Sequence, residues 1–292
     1  MAMRTLLCLL LACAAGAPSE ELPISGLAHV GFRVSDLGRA RAFYTGVLGY
    51  QEAFDLKDEK GEIALAYFKV NDDQYIEIFP GLPPDQDVRL THIALLTPDI
   101  EKLRRMLAER GVDSPKPQRG RDGNLNFSLR DPEGNRLEFV QYLAGSLHAR
   151  ARGKFLGEQR LSDHLWHAGI TVANVEAAMA FYRDHLGFHE TWRGGPAGQD
   201  TRWINMRMPG PRGDYVEFML HSKPPNRQQL GSMHHICLEV ADIRAAQQKA
   251  VERGVPDEER YRPRVGRNGR WQLNLFDPDG SRSELMEPNP VP

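Results

Sequence analysis

The sequence predicts an α+β fold: four βαβββ modules, paired into two curved mixed β-sheet domains with helices on the outer face. Three observations carry this. The segment LAHVGFRVSDLGRARAFYTGVLGY from Leu27 matches LWHAGITVANVEAAMAFYRDHLGF, 138 residues further on from Leu165, without gaps. Each half also repeats within itself, with THIALLTPDIEKLRRMLAERGV from Thr91 and HHICLEVADIRAAQQKAVERGV from His234. Each repeat passes from alternating apolar residues to 3.6-residue spacing, as a strand gives way to a helix.

The elements follow in order within a unit of about 65–70 residues. The opening strand puts Val30, Phe32 and Val34 on one face. The helix carries Leu37, Ala40, Phe43, Tyr44, Val47 and Leu48 on its buried side. Asp36 and Asp99 stand where N-caps belong; Gly49, Gly111, Gly187 and Gly254 stand at C-caps. Three short strands close the unit. In units two and four the last two are joined by Asp131-Pro132-Glu133-Gly134 and Asp277-Pro278-Asp279-Gly280. Proline presets the second turn position and glycine tolerates positive φ, so these read as tight hairpin turns without catalytic content. One module cannot close a core alone, so the domains are expected at 25–143 and 164–288. The pattern breaks at 144–163, which reads as a linker.

Composition narrows the function. Hydrophobic residues make up 41% and charged residues 26%, as in an ordinary globular protein. Lys and Arg total 37 against 39 Asp and Glu, so no basic excess supports nucleic-acid binding. The apolar run Leu6 to Ala17 follows Arg4 and is far shorter than the ~20 residues of a bilayer-spanning helix. Residues 1–20 therefore read as a signal segment, with Ala12-Cys13-Ala14 as a cleavage site. Leu10-Leu11-Ala12-Cys13 also resembles a bacterial lipoprotein box, which would place a lipid anchor on Cys13. The expected location is the bacterial periplasm, free or as a membrane-anchored lipoprotein. After processing, Cys237 is the one internal cysteine, so no internal disulfide braces the fold.

Chemistry-bearing residues recur at equivalent places. The first strand of each unit carries a His: His29, His92, His167 and His235. The last strand carries a Glu: Glu77, Glu138, Glu217 and Glu284. Strand alternation turns each His away from the helix layer, into the concavity, and two residues on stands something small: Gly31, Ala94, Gly169 or Cys237. A lone glutamate among strand hydrophobes is costly unless paired or ligated. Two imidazoles and two carboxylates give a divalent ion a neutral four-ligand set, suited to Zn, Ni, Fe(II), Co or Mn. Arg33 shares the face of His29. Tyr75, Arg136, Tyr215 and Arg282 each lie two residues before a Glu, on the same strand face. These five are candidate substrate-binding residues, because an arginine can clamp a carboxylate or enolate oxygen. Cys237 reads as a small buried hydrophobe.

The stretch His29-Val30-x-Phe32-x-Val34, with Phe43-Tyr44 and Leu48-Gly49-Tyr50, closely resembles the first glyoxalase I motif. His167 to Phe188 resembles it again, while His92-Ile93-Ala94 and His235-Ile236-Cys237, each with an Asp seven residues after the His, look like the second. The chain thus resembles the vicinal oxygen chelate superfamily of glyoxalases, extradiol dioxygenases, epimerases and antibiotic-resistance proteins, over residues 25–288. The resemblance implies one metal set of His29, Glu77, His92 and Glu138, and another of His167, Glu217, His235 and Glu284. Superfamily members also exchange units between halves, which leaves the pairing of units open, as it does a homodimer.

The resemblance implies three activities on a small-molecule substrate. Glyoxalase- or epimerase-like chemistry stabilises an enediolate at the metal, with Glu138 and Glu284 as catalytic bases. An extradiol dioxygenase would use His167, His235 and Glu284 in the second half. Its last motif has a Tyr three residues before the turn Asp and a His somewhat earlier. Here Asn274 holds the first place and no His follows His235. A non-catalytic binder of the resistance type is the third reading.

Overall fold

The computed structural model describes residues 20–197 and 200–292. The signal segment and the lipid-anchor candidate Cys13 lie outside the described residues. No helix among the described residues is long and apolar enough to cross a membrane.

The first module runs β1 (Gly26–Val34), α1 (Leu37–Arg41), β2 (Gln51–Lys57), β3 (Ile63–Lys69) and β4 (Tyr75–Pro80). The second runs β5 (Leu90–Leu96), α2 (Ile100–Glu109), β6 (Gln118–Arg119), β7 (Leu125–Arg130) and β8 (Arg136–Gln141). A short helix, α3 (Leu147–Ala151), leads to the second half. There the third module has β9 (Leu165–Val172), α4 (Val175–Met179), β10 (His189–Gly194), β11 (Trp203–Arg207) and β12 (Tyr215–Leu220). After α5 (Arg227–Met233), the fourth has β13 (His235–Glu239), α6 (Ile243–Glu252), β14 (Arg264–Val265), β15 (Arg270–Phe276) and β16 (Arg282–Pro290).

Each half forms one eight-stranded mixed sheet, ordered β2-β3-β4-β1-β5-β8-β7-β6 and β10-β11-β12-β9-β13-β16-β15-β14. The opening strands of two consecutive modules pair antiparallel at the centre, β1 with β5 and β9 with β13. Each opening strand also pairs in parallel with the closing strand of its own module. Modules one and two therefore share a sheet, as do three and four, which resolves the pairing the sequence left open.

Caps and turns obey local chemistry. The Asp36 and Asp99 side chains accept from the backbone N–H of Arg39 and Lys102, closing helix N-termini. Gly49, Gly111, Gly187 and Gly254 all have φ between 74° and 96°, the left-handed cap conformation. The helix after β1 departs from the expected 3.6-residue winding. Beyond α1 the chain widens to a π-turn over Ala42–Val47, and beyond α4 it does so over Ala180–His185. The signature bonds run from Leu48 N–H to the Phe43 carbonyl (3.0 Å) and from Leu186 N–H to the Phe181 carbonyl (3.1 Å).

The wider turn has a consequence for assembly. It carries Tyr44 and Tyr182, both buried, towards the opposite half. The Tyr44 hydroxyl donates to Asp277 (3.3 Å) and the Tyr182 hydroxyl to Asp131 (3.0 Å). The turn after β7 also caps the second half, with Glu133 accepting from Ala173 and Asn174, and the turn after β15 caps the first, with Asp279 accepting from Ser35. The two Asp-Pro-x-Gly turns are thus pseudo-symmetric clasps between the halves. One continuous cluster of buried apolar residues runs from Val30 and Phe32 to Ile170 and Val172. The segment 144–163 is no loose tether: Ser146 caps α3, and His148 and Ala151 on it are buried.

Candidate metal centre

The β-register explains how distant residues converge. In the first half, Glu77 on β4, Gly31 on β1 and His92 on β5 lie in one row across three strands. His29, Ala94 and Glu138 form the next row, running the other way. The second half repeats both rows as Glu217, Gly169, His235 and as His167, Cys237, Glu284. Each row reads glutamate, small residue, histidine. Neighbouring strands are about 4.8 Å apart, so the outer two side chains must lean across the middle residue to meet. A Cβ on Gly31 would collide with the His92 ring, and one on Gly169 with the His235 ring. Smallness there is a requirement of the site.

The rows close into two clusters. In the second half, His167 Nε2 and His235 Nε2 are 3.0 Å apart. Glu284 lies 3.4 Å from His167 Nε2 and 3.5 Å from His235 Nε2, and Glu217 lies 3.4 Å from His235 Nε2. One donor atom from each of the four falls within 4.8 Å of every other. Ligands about 2.1 Å from one ion stand about 3.0 Å apart in an octahedron and about 3.4 Å apart in a tetrahedron. These four edges match that spacing and the remaining ones close within 4.8 Å, so the donor set fits a divalent ion. The first half is looser. His29 and His92 Nε2 are 2.9 Å apart and Glu77 lies 3.3 and 3.4 Å from them, but Glu138 stands off at 4.0 and 3.8 Å. The mutually close set there is His29, His92 and Glu138.

Neighbouring charges differ accordingly. Burial pushes the Glu138 carboxyl up to about 7, against the pull of His92, and Glu77 adds to the rise. Arg136 reaches Glu138 at 3.1 Å, but its side chain is 43% exposed, so water screens it. Burial opposes ionisation of Glu284 too. There Arg282, only 12% exposed, and the bonds with His167 and His235 win, holding the carboxyl well below its usual range. Arg282 Nη2 is also 2.8 Å from His235 Nδ1, which lies 3.0 Å from the Met233 carbonyl. The guanidinium can only donate and the carbonyl only accept, so Nδ1 serves one of them at a time; donation of its proton to the carbonyl leaves the Nε2 lone pair facing the cluster. Burial raises the Cys237 thiol well above its usual range, so it stays neutral beside the carboxylates.

The surroundings set the halves apart. A cavity of about 400 Å³ opens beside Glu217 and Glu284, walled by Trp192, Trp203, Arg267 and Arg282. In the first half, α3 inserts His148 among Phe54, Tyr67, Tyr75 and Tyr142, with ring centroids 4.3–5.4 Å away. Asn124 Nδ2 fixes that imidazole at 2.8 Å. Of the candidate substrate residues, Arg282 alone lines the cavity. Arg33 instead donates to the Pro80 carbonyl (3.3 Å) and lies over the Phe79 ring. Tyr75 and Tyr215 are buried, in register with His29 and His167. Sequence reasoning missed His148, which lies in the non-repeating linker, and Trp192 and Trp203, which lie on the least repetitive strands.

The fold is that of a known class. The chain belongs to the Glyoxalase/Bleomycin resistance protein/Dioxygenase superfamily, whose family model matches residues 26–139 and 164–285. It is 28% identical over 120 residues to an ethylmalonyl-CoA/methylmalonyl-CoA epimerase from Cereibacter sphaeroides, covering 39% of this chain and 87% of the epimerase. It is 29% identical over 175 residues to a 3-methylcatechol 2,3-dioxygenase from Pseudomonas putida, covering 57% of each. Among solved structures, the 2,3-dioxygenase LapB from Pseudomonas sp. KL28 superposes with a TM-score of 0.69 at 17% identity, over 94% of this chain and 95% of that one. A Mn(II)-bound glyoxalase from Novosphingobium aromaticivorans superposes with a TM-score of 0.67 at 18% identity, over 91% of this chain and 82% of that one. At such identities these structures establish the fold alone.

Proposed function

We propose that the chain is an exported, divalent-metal-dependent enzyme of the glyoxalase and epimerase type, which moves a proton next to a carbonyl and works in its second half. One observation carries this reading: Glu217 completes a four-donor set with His167, His235 and Glu284 beside an open cavity. A three-ligand dioxygenase centre has no use for that fourth donor, and Asn274 stands where its tyrosine would. Residues His167, Glu217, His235 and Glu284 would hold the ion. A divalent ion supplies Lewis acidity to two vicinal oxygens of a substrate and to the enolate charge.

The protein residues do the rest. Glu284 accepts the proton of the C–H bond beside the carbonyl and returns it. Arg282 keeps that carboxyl ionised beforehand. Trp192 and Trp203 supply apolar surface to a cavity otherwise lined mostly by charged and polar side chains. The first-half set, beside which His148 packs among Phe54, Tyr67, Tyr75 and Tyr142, takes no substrate on this reading. Export rests on Arg4 and the apolar run Leu6 to Ala17, and puts the mature start between Cys13 and Ser19.

The match to the 3-methylcatechol dioxygenase favours a second reading, ring cleavage at the same donors. A screen of catechols and of 2-oxo and 2-hydroxy carbonyl compounds, under air and under argon, separates the two. The proposal expects turnover without oxygen and exchange of the substrate's α-hydrogen with solvent deuterium. Oxygen uptake matched to catechol loss would overturn it.

A further inference from the structure

The second-half cavity does not end at the metal donors. Gln272 on β15 lines it, and Asn274 and Phe276, next along the same strand face, line an adjoining cavity of about 680 Å³. Two residues of strand advance about 7 Å, so this second space begins one short step from Glu284, the strand partner of Asn274. Arg264 on β14 borders both spaces. The far wall comes from the other half and from α5, through Arg89 and Arg227, so the space lies in the seam between the halves.

The seam cavity is lined by Arg89, Arg227, Arg260 and Arg264 against one acid, Asp277. That acid is occupied, since its carboxylate accepts from the Asp279 and Ser281 N–H groups and from Tyr44. Arg89 is only 5% exposed and spends its donors on the carbonyls of Asp87, Arg227 and Asp279, with no carboxylate partner among the described residues. Arg260 and Arg264 form no ion pair among the described residues. The Arg260 guanidinium rests 4.6 Å from the Tyr261 ring centre and 5.4 Å from that of Phe276. Aromatic contact fixes its plane and leaves its N–H edge free to grip an oxyanion with two bonds. Arg227 lies 3.5 Å from Asp87 and Arg89 has spent its donors, so the exposed Arg260 and Arg264 are the cations left to favour an anion in this space.

We propose that this seam cavity is the anion-binding arm of the second-half site. The substrate is an elongated molecule whose vicinal oxygens face the His167, Glu217, His235 and Glu284 set, while a phosphate or carboxylate group at its other end lies against Arg260 and Arg264. The placement of the vicinal oxygens rests on the function proposed above; the anion grip stands on the arginines alone.

Calorimetry with phenyl phosphate, benzoate and phenol at low salt tests it. Wild-type protein should bind one of the two anions and not phenol, with affinity falling as salt rises. Phenyl phosphate binding tighter than benzoate assigns a phosphoryl arm, and the reverse a carboxylate arm. The double variant Arg260→Gln, Arg264→Gln should lose about tenfold or more, the scale of one lost charge-assisted bond, with unchanged metal content. His235→Ala should keep the anion affinity, which separates the arm from the metal reading. Equal binding by wild type and the arginine variant, phenol binding as well as the anions, no anion binding, or loss in His235→Ala alone would each overturn the proposal.

Discussion

The small residues between the donors offer a sharp test, because adding one carbon to them should evict one ion and spare the other. An ideal Cβ on Gly31 meets Thr91 Oγ1 and lies 2.7 Å from His92 Cε1 and 2.8 Å from His92 Nδ1, while one on Gly169 lies closer still to the His235 ring and 2.6 Å from the Met233 carbonyl. Ordinary contact begins near 3.4 Å, so the His92 ring must retreat by about 0.7 Å. A metal bond tolerates only about 0.2 Å, and disturbing groups that merely hydrogen-bond to the ligands already costs about 10–100-fold in affinity. Gly169→Ala should therefore weaken the second-half ion by at least about 100-fold and leave first-half donors untouched. Gly31→Ala should do the reverse. Metal titration by calorimetry, with circular dichroism to verify folding, reads this out. A folded Gly169→Ala protein that binds both ions like wild type would refute the row geometry as the origin of the site.

Three further outcomes follow from the same geometry. Glu284→Gln should slow turnover and solvent deuterium exchange by about 10²–10⁴-fold, while Glu138→Gln, in the first-half set, leaves both unchanged; steady-state rates decide it. Burial raises Asp277 from 3.8 to about 6, so its protonated form is favoured in the folded state and its contribution is full below pH 4 and lost as the pH rises through 6. Asn cannot ionise, so thermal scans should show Asp277→Asn gaining on wild type by roughly 3 kcal/mol between pH 4 and 7, and a constant difference would contradict the buried carboxylate. His148→Ala removes a ring stacked 4.3 Å from Tyr142, and should cost about 2–4 kcal/mol in a urea melt and open the linker to protease.

Much of this was legible because duplication prints the same physics four times. His29, His92, His167 and His235 share one strand position, and alternation alone turned them inward. Glu77, Glu138, Glu217 and Glu284 followed by the same logic. The rows were not legible, because whether Gly31 neighbours His92 depends on which modules pair, and no local pattern encodes that. The π-turns were hidden as well, since apolar residues at Phe43, Tyr44, Val47 and Leu48 suit either winding. Asp131 and Asp277 were readable as turn residues, but their bonds to Tyr182 and Tyr44 exist only once the halves meet. His148 escaped because it belongs to no repeat, and repetition was the signal.

The central claim is that His167, Glu217, His235 and Glu284 hold one divalent ion together. Metal analysis of the purified chain, paired with anomalous diffraction at the absorption edge of the metal found, tests it most directly. An anomalous peak should stand among those four side chains and be lost on His235→Ala. A chain that stays metal-free after saturation with Mn(II), Fe(II), Co(II), Ni(II) and Zn(II), or a peak that survives His235→Ala, would contradict it.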